Sequence, residues 1–245
     1  MIVTTETVDI PAEDKPMRML VTAPKAEGRY PAVLVYSDIF QLTEPQVRLS
    51  TRLAGYGFVV ATPEIYHRIE PAGAALSFDD AGRARGLEDA KRTRVAEFDA
   101  DCRVALDWLK THPRASGRRL GAMGFCIGGH LAFRAALQPD VRAAVCFYPT
   151  GVHDGRLGKD EDAGSLARAG EVKGEIMLVF GTADPHVPEE ARTTIVDALT
   201  RADTQFVTRL FAAEHAFMRD EGPRFDPEAT DQAWDEAIRF LRRTL

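Results

Sequence analysis

A six-residue stretch, Gly124-Phe125-Cys126-Ile127-Gly128-Gly129, constrains this chain more than any other. It lies between a short apolar run, Leu120 to Met123, and a small-residue, helix-forming segment, His130 to Leu137. A strand that feeds a helix through so short a link must turn sharply, and the residue at the turn takes a strained backbone conformation. Its neighbours two positions away then sit too close to the turn to carry bulky side chains, and Gly124 and Gly128 meet that need. The turn also sets Cys126 at a helix N-terminus, where free N–H groups and the positive end of the dipole favour a thiolate over a thiol. Such a turn displays a nucleophile.

The turn resembles the nucleophile elbow of α/β-hydrolases, with cysteine where serine is usual. The order of elements around it agrees. Thr5 to Ile10 and Pro16 to Ala23 read as strands, and Ala32-Val33-Leu34-Val35-Tyr36 is a nearly continuous apolar run suited to a strand buried on both faces. Thr43 and Gln46 form the pattern of a capping box opening a helix to about Gly55, followed by a short strand at Phe58 to Ala61. Residues 64–88 have no clear period and read as an excursion over the surface with room for short helices. One amphipathic helix is expected from Asp89 to His112, since Val95, Phe98, Cys102, Leu106 and Leu109 recur at three- and four-residue steps. Beyond the elbow, strands at Ala143–Phe147, Ile176–Phe180 and Thr204–Phe211 alternate with helices at Pro188–Ala202 and Pro227–Leu245. The charged, glycine-rich stretch 151–173 reads as a lid or surface loop. Alternation of this kind implies a three-layer α/β sandwich with a mostly parallel central sheet, and functional loops at the strand C-termini. The α/β-hydrolase fold as one domain over 1–245 is the expectation.

Composition narrows the partners. At 245 residues, 45% hydrophobic and 28% charged, the chain can bury a sizeable core. A net charge of -6 argues against nucleic acid or an anionic membrane as the main partner. The three cysteines, Cys102, Cys126 and Cys146, have no paired spacing, which favours a reducing, cytoplasmic setting and neither a disulfide framework nor a structural zinc site. Cys102 falls on the apolar face of its helix and Cys146 inside a strand, so both read as core.

A cysteine nucleophile needs a base, and the base an orienting acid. His215 follows the last expected strand and Asp184 follows the strand Ile176–Phe180, so both reach the sheet edge that carries the elbow. The order Cys126, Asp184, His215 is the nucleophile–acid–histidine order of α/β-hydrolases. His130, one turn into the elbow helix, reads as a packed or hydrogen-bonded histidine. The N–H groups of Ile127 and of Ile39, in the loop after Ala32–Tyr36, are the candidates for an oxyanion hole.

Together, Asp38-Ile39-Phe40, Thr62-Pro63-Glu64-Ile65-Tyr66, the cysteine elbow, Gly181 to Pro188 and His215-Ala216-Phe217 make the chain resemble the dienelactone hydrolase (carboxymethylenebutenolidase) family. The resemblance implies a cofactor-free cysteine hydrolase that opens an enol-lactone or small ester through a thioester. It implies Cys126 as nucleophile, His215 as base, Asp184 as acid, and Ile39 and Ile127 as oxyanion donors. Arg219 matches a family arginine that holds the substrate carboxylate, a task suited to the forked guanidinium. Asp38 stands where the family has a glutamate that contacts the resting cysteine, which makes it the nucleophile-positioning candidate. Tyr148, in Phe147-Tyr148-Pro149, replaces a segment usually ending in glycine and is expected on the pocket wall. A second family arginine has Arg92 and Arg94 as its candidates. The expected partner is a small-molecule lactone or ester, with no nucleic acid or membrane, and the expected state is monomer or homodimer. Three rival readings are a carboxylesterase or thioesterase of other small acyl groups, a glutaminase-like cysteine amidase, and a non-catalytic thiol-sensing module. An amidase of that type places its histidine before its acid, against the order seen here.

Overall fold

A computed structural model describes residues 1–245, the side chain of Arg118 excepted. Its strands are β1 (Val3–Ile10), β2 (Met17–Pro24), β3 (Tyr30–Tyr36), β4 (Val59–Pro63), β5 (Ala115–Phe125), β6 (Val141–Phe147), β7 (Glu175–Gly181) and β8 (Gln205–Phe211). Among the described residues these form one eight-stranded sheet in the order β1-β2-β4-β3-β5-β6-β7-β8. The first two strands enter antiparallel, and every pair from β4 to β8 is parallel.

Side chains on successive strand residues point to opposite faces, and the core divides accordingly. In β3, Ala32, Leu34 and Tyr36 join a cluster with Phe98 and Leu106 of helix α3 (Val95–Thr111), Leu131 and Phe133 of α4 (Ile127–Ala135), and Ile195 and Leu199 of α5 (Glu189–Arg201). Val33 and Val35 face the other way, toward Leu53 of α1 (Glu44–Gly55) and Trp234, Ile238 and Leu241 of α6 (Pro227–Thr244). The result is the three-layer α/β sandwich of α/β-hydrolases, as the alternating elements implied. Cys102 and Cys146 are both buried in the first cluster. Burial pushes the Cys102 thiol up to about 12 and the Cys146 thiol higher still, so both stay protonated.

Three local expectations need correction. The single helix over 89–112 is two. Helix α2 (Asp80–Arg92) ends at Thr93 and Arg94, both extended, and α3 restarts at Val95. Val95 N–H donates to Asp160 Oδ2 (2.7 Å) and Lys159 N–H to Thr93 O (2.8 Å), so the 151–173 stretch fills the break. Second, the helix in the 64–88 excursion is longer than the short ones expected there: the stretch holds most of the 13-residue α2, opened by Asp79, whose Oδ1 accepts from Gly82 N–H (2.7 Å). No apolar period announced this helix because its close contact is made by glycine: a Cβ on Gly86 would lie 2.4 Å from the Ile39 carbonyl oxygen. Third, Thr43 caps α1 by position only, without a side-chain bond. Gln46 is turned inward, donating to Ser50 Oγ (3.3 Å) rather than returning to the cap.

Candidate active site

The elbow is as tight as its glycines suggest. Cys126 has φ 59° and ψ -121°, and its N–H donates to Phe147 O (3.1 Å). A Cβ on Gly124 would lie 1.9 Å from Gly128 O, and one on Gly128 would lie 2.3 Å from Ser37 O. Those contacts leave no room for any other residue. Cys126 is half-buried while its neighbours from Gly121 to His130 are buried, so the turn lifts the cysteine alone to the surface of the site.

Asp184 and His215 come together from the loops after β7 and β8. His215 Nδ1 donates to Asp184 Oδ2 at 2.7 Å, both side chains being buried. The other carboxylate oxygen of Asp184 accepts from His186 N–H (2.7 Å) and Val187 N–H (3.3 Å), which fixes its aim. Burial works against the charged form of Asp184, but the hydrogen bond and charge of His215 and the His186 N–H hold its carboxyl below the usual range. For His215, burial opposes protonation. The negative charge of Cys126 and the bond to Asp184 outweigh it and raise the imidazole to about 9. With Nδ1 held by Asp184, Nε2 is the nitrogen left for the sulfur. Tyr148, at φ 37°, sets its ring edge-on beneath His215 (5.0 Å) and against Phe217 (5.4 Å).

The opposite wall carries Asp38 and Arg219, which pair with each other at 3.1 Å. Asp38 Oδ1 accepts from Phe40 N–H (2.9 Å), and the Arg219 guanidinium rests against an edge-to-face pair of rings, Phe40 (5.0 Å) and Phe78 (4.5 Å), whose centroids are 4.9 Å apart. Burial raises the Asp38 carboxyl, and Arg219 offsets this only in part. The residue expected beside the cysteine and the one expected beside the substrate carboxylate thus form one ion pair. Of the other arginines considered, Arg92 is exposed and Arg94 pairs with Glu97 at 3.0 Å. The N–H groups of Ile39 and Ile127 donate to no other protein group among the described residues.

Several neighbours of the site had no role assigned from the sequence. Thr150, after β6, brings its hydroxyl to 3.8 Å from Cys126 Sγ, and its N–H donates to Cys126 O (3.3 Å). A hydroxyl in a loop at the same sheet edge was the available signal. His130 holds that loop, bonding Thr150 O through Nδ1 (3.1 Å) and Ser165 Oγ through Nε2 (2.7 Å). Arg134 donates to the same Ser165 oxygen (2.8 Å), so Ser165 gives its own hydrogen to His130, and burial keeps His130 neutral with a value lowered to about 3. Ser165 therefore pins the 151–173 stretch into the core. The exposed His186 ring meets His215 edge-on at 4.7 Å. Tyr66, after β4, is buried with an unpartnered hydroxyl. Among the described residues, no cluster of three or more His, Cys, Asp or Glu side chains could hold a metal ion. No described helix is long and apolar enough to cross a membrane.

Comparison with known proteins points in one direction. A sequence model described as the dienelactone hydrolase family matches residues 17–245. A Saccharomyces cerevisiae protein named, by inference, a carboxymethylenebutenolidase is 37% identical over 239 residues, covering 94% of this chain and 87% of the relative. The carboxymethylenebutenolidase of Pseudomonas sp. strain P51 is 30% identical over 218 residues, covering 89% of this chain and 87% of its own. Among solved structures, a Klebsiella pneumoniae protein named, again by inference, a dienelactone hydrolase superposes with a TM-score of 0.88. It shares 24% identity and covers 99% of this chain and 100% of its own, a likeness of fold.

Proposed function

The chain belongs to the dienelactone hydrolase family and is a hydrolase of ester or lactone bonds, and we propose that it opens a small carboxylate-bearing enol-lactone or ester through a thioester on Cys126. The observation that carries this reading is the 2.7 Å bond between Asp184 and His215, formed across two strand-end loops and facing the strained cysteine turn.

In this mechanism the Cys126 sulfur, ionised with its proton on His215, attacks the acyl carbon. The carbonyl oxygen becomes an oxyanion received by the N–H groups of Ile39 and Ile127. Collapse restores the carbonyl and breaks the bond to the ring or ester oxygen, which leaves as an enolate or alkoxide and takes the proton from His215. The neutral imidazole then removes a proton from water, and the hydroxide adds to the thioester. A second collapse releases the carboxylic acid, and the sulfur leaves as thiolate opposite the imidazolium. Asp184 keeps the proton on Nδ1 throughout, so that Nε2 does the exchanging. Arg219, held against the Phe40 and Phe78 rings, offers its guanidinium to the substrate carboxylate, with Asp38 as its partner in the resting site. In the same reading Asp38 positions the nucleophile indirectly, and Tyr148 forms the wall beneath His215.

The test compares hydrolysis of a dienelactone and of an activated neutral ester by wild type, Cys126→Ala and His215→Ala. Loss of either triad member is expected to lower kcat by roughly a thousandfold or more on both substrates. Undiminished turnover in Cys126→Ala overturns the cysteine mechanism. Faster wild-type turnover of the neutral ester than of the dienelactone assigns the site to uncharged acyl groups, as the neutralised Asp38–Arg219 pair would favour.

A further inference from the structure

The Tyr66 side chain is 1% exposed, and its hydroxyl is buried with no hydrogen-bond partner. A buried hydroxyl without a partner carries an uncompensated desolvation cost, and native proteins seldom retain one without use. Its backbone, by contrast, is firmly held. Tyr66 N–H donates to Gln41 Oε1 (3.1 Å), and Gln41 Nε2 donates to Ala74 O (3.0 Å). Gln41 is itself fully buried at φ 65°, two residues beyond Ile39. The loop after β3, which carries the oxyanion candidate, is thus stapled to the loop after β4, which carries Tyr66.

The sheet order says on which side of the nucleophile this lies. β4 neighbours β3, and β3 neighbours β5, so the loops that carry Tyr66 and Ile39 lie on one flank of the Cys126 turn. His215 and Asp184 approach from the other flank, by way of β8 and β7. The acyl oxygen must point away from the base and toward Ile39, that is, toward the flank that Tyr66 occupies. The charges acting on the phenol are those of Cys126, Asp89 and Asp38. Burial, followed by those charges, raises its pKa far above the ordinary tyrosine value, so at neutral pH the group is a donor. It is not spent on Asp89 either, whose buried Oδ2 also lacks a partner.

We propose that the Tyr66 hydroxyl is a third donor of the oxyanion hole, giving a hydrogen bond to the acyl oxygen as negative charge develops on it. The proton stays on the phenol and no bond to it breaks. The inference rests on the cysteine-hydrolase reading above, and it gives the orphaned hydroxyl a partner that exists only during the reaction.

Tyr66→Phe removes the oxygen alone and is the direct test. Because that oxygen has no partner in the folded protein, the thermal midpoint is expected to hold or rise. kcat on a dienelactone is expected to fall roughly 10- to 100-fold with KM little changed, since a donor used only in the transition state acts on kcat. Unchanged kcat, or a loss carried wholly by KM, overturns the proposal. So does a fall in the midpoint that accompanies the loss of activity, because the hydroxyl would then be supporting the fold. Iodoacetamide labelling of Cys126 in the same variant separates this failure from that of the underlying mechanism. Labelling at the wild-type rate is expected, and the Cys126→Ala assay decides the mechanism independently.

Discussion

The two flanks of the site are built in different ways. On the acid–base flank, Asp184 and His215 each sit a few residues past a parallel strand, and one 2.7 Å bond joins them. On the oxyanion flank, Asp38, Arg219 and Tyr66 depend on partners far away in sequence. Arg219 reaches Asp38 across 181 residues, Phe78 stacks on Arg219 from the 64–88 excursion, and Gly86 of α2 backs the Ile39 peptide. Strand ends fix the first flank, and side-chain packing fixes the second. In the proposed mechanism the acid–base pair is therefore held by backbone topology, and the carboxylate-binding side by an assembly of loops.

The elbow joins the flanks, so substitution there should have the largest effect. Gly128→Ala would place a Cβ 2.3 Å from Ser37 O, on the loop that carries Asp38 and Ile39. Because that contact is backbone against backbone, relief requires the β3 loop or α4 to move. The expected outcome is near-complete loss of activity on every ester, with a thermal midpoint several degrees lower. A variant with wild-type kcat would mean that the turn is looser than its φ of 59° at Cys126 implies.

Asp184→Asn acts on the acid–base flank alone. An amide at this position offers Nδ1 the wrong hydrogen-bonding partner and removes a charge that raises His215. kcat should drop by roughly a hundred- to ten-thousandfold, with little change in KM, as for the equivalent loss in other triads. The sign of the titration follows from the same charge. His215 sits near 9 in the wild type, above the 6.5 of a free imidazole, so removing a carboxylate that favours its protonated form must lower it. NMR titration of the His215 ring checks this. A midpoint that stays near 9 would show that the Cys126 charge alone sustains it.

The contrast also explains what could be read from the sequence. Cys126, Asp184 and His215 each follow an apolar run, and a parallel sheet must bring the ends of such runs to one edge, so composition and order were enough to place them. The three layers were legible for the same reason, since β3 alternates its residues between two cores. The helix at 80–92 was not legible, because its buried face is Gly82, Gly86, Asp89 and Ala90 rather than a stripe of large apolar groups. The ion pair of Asp38 with Arg219 was hidden as well. Each residue had a plausible role of its own, and no local pattern records that two loops so far apart in sequence turn toward each other. Thr150 carries no charge and fits no spacing rule, and Tyr66 lay in a segment of the family resemblance without a role of its own, so their surroundings in the fold are what mark them.

The smallest effect tests how far the oxyanion flank is tuned by charge. Asp89 is buried on α2 and raised to about 6, first by burial and then by Glu70, with Arg85 and Arg92 opposing. Glu70 itself is held low, chiefly by its hydrogen bond to Arg85. A carboxyl raised in the fold stabilises it only while protonated. That contribution is complete below the ordinary 3.8 and is lost as pH rises through about 6. Above pH 7 the fold therefore carries an ionised Asp89 beside Glu70, with Oδ2 unpaired. Asp89→Asn removes that charge and keeps the shape, so it should stabilise the protein at pH 7.5 by about 1 kcal/mol and confer nothing at pH 4. Urea denaturation at the two pH values measures the difference. An equal gain at both would trace the effect to packing, and the oxyanion flank would then be indifferent to the charge behind Tyr66.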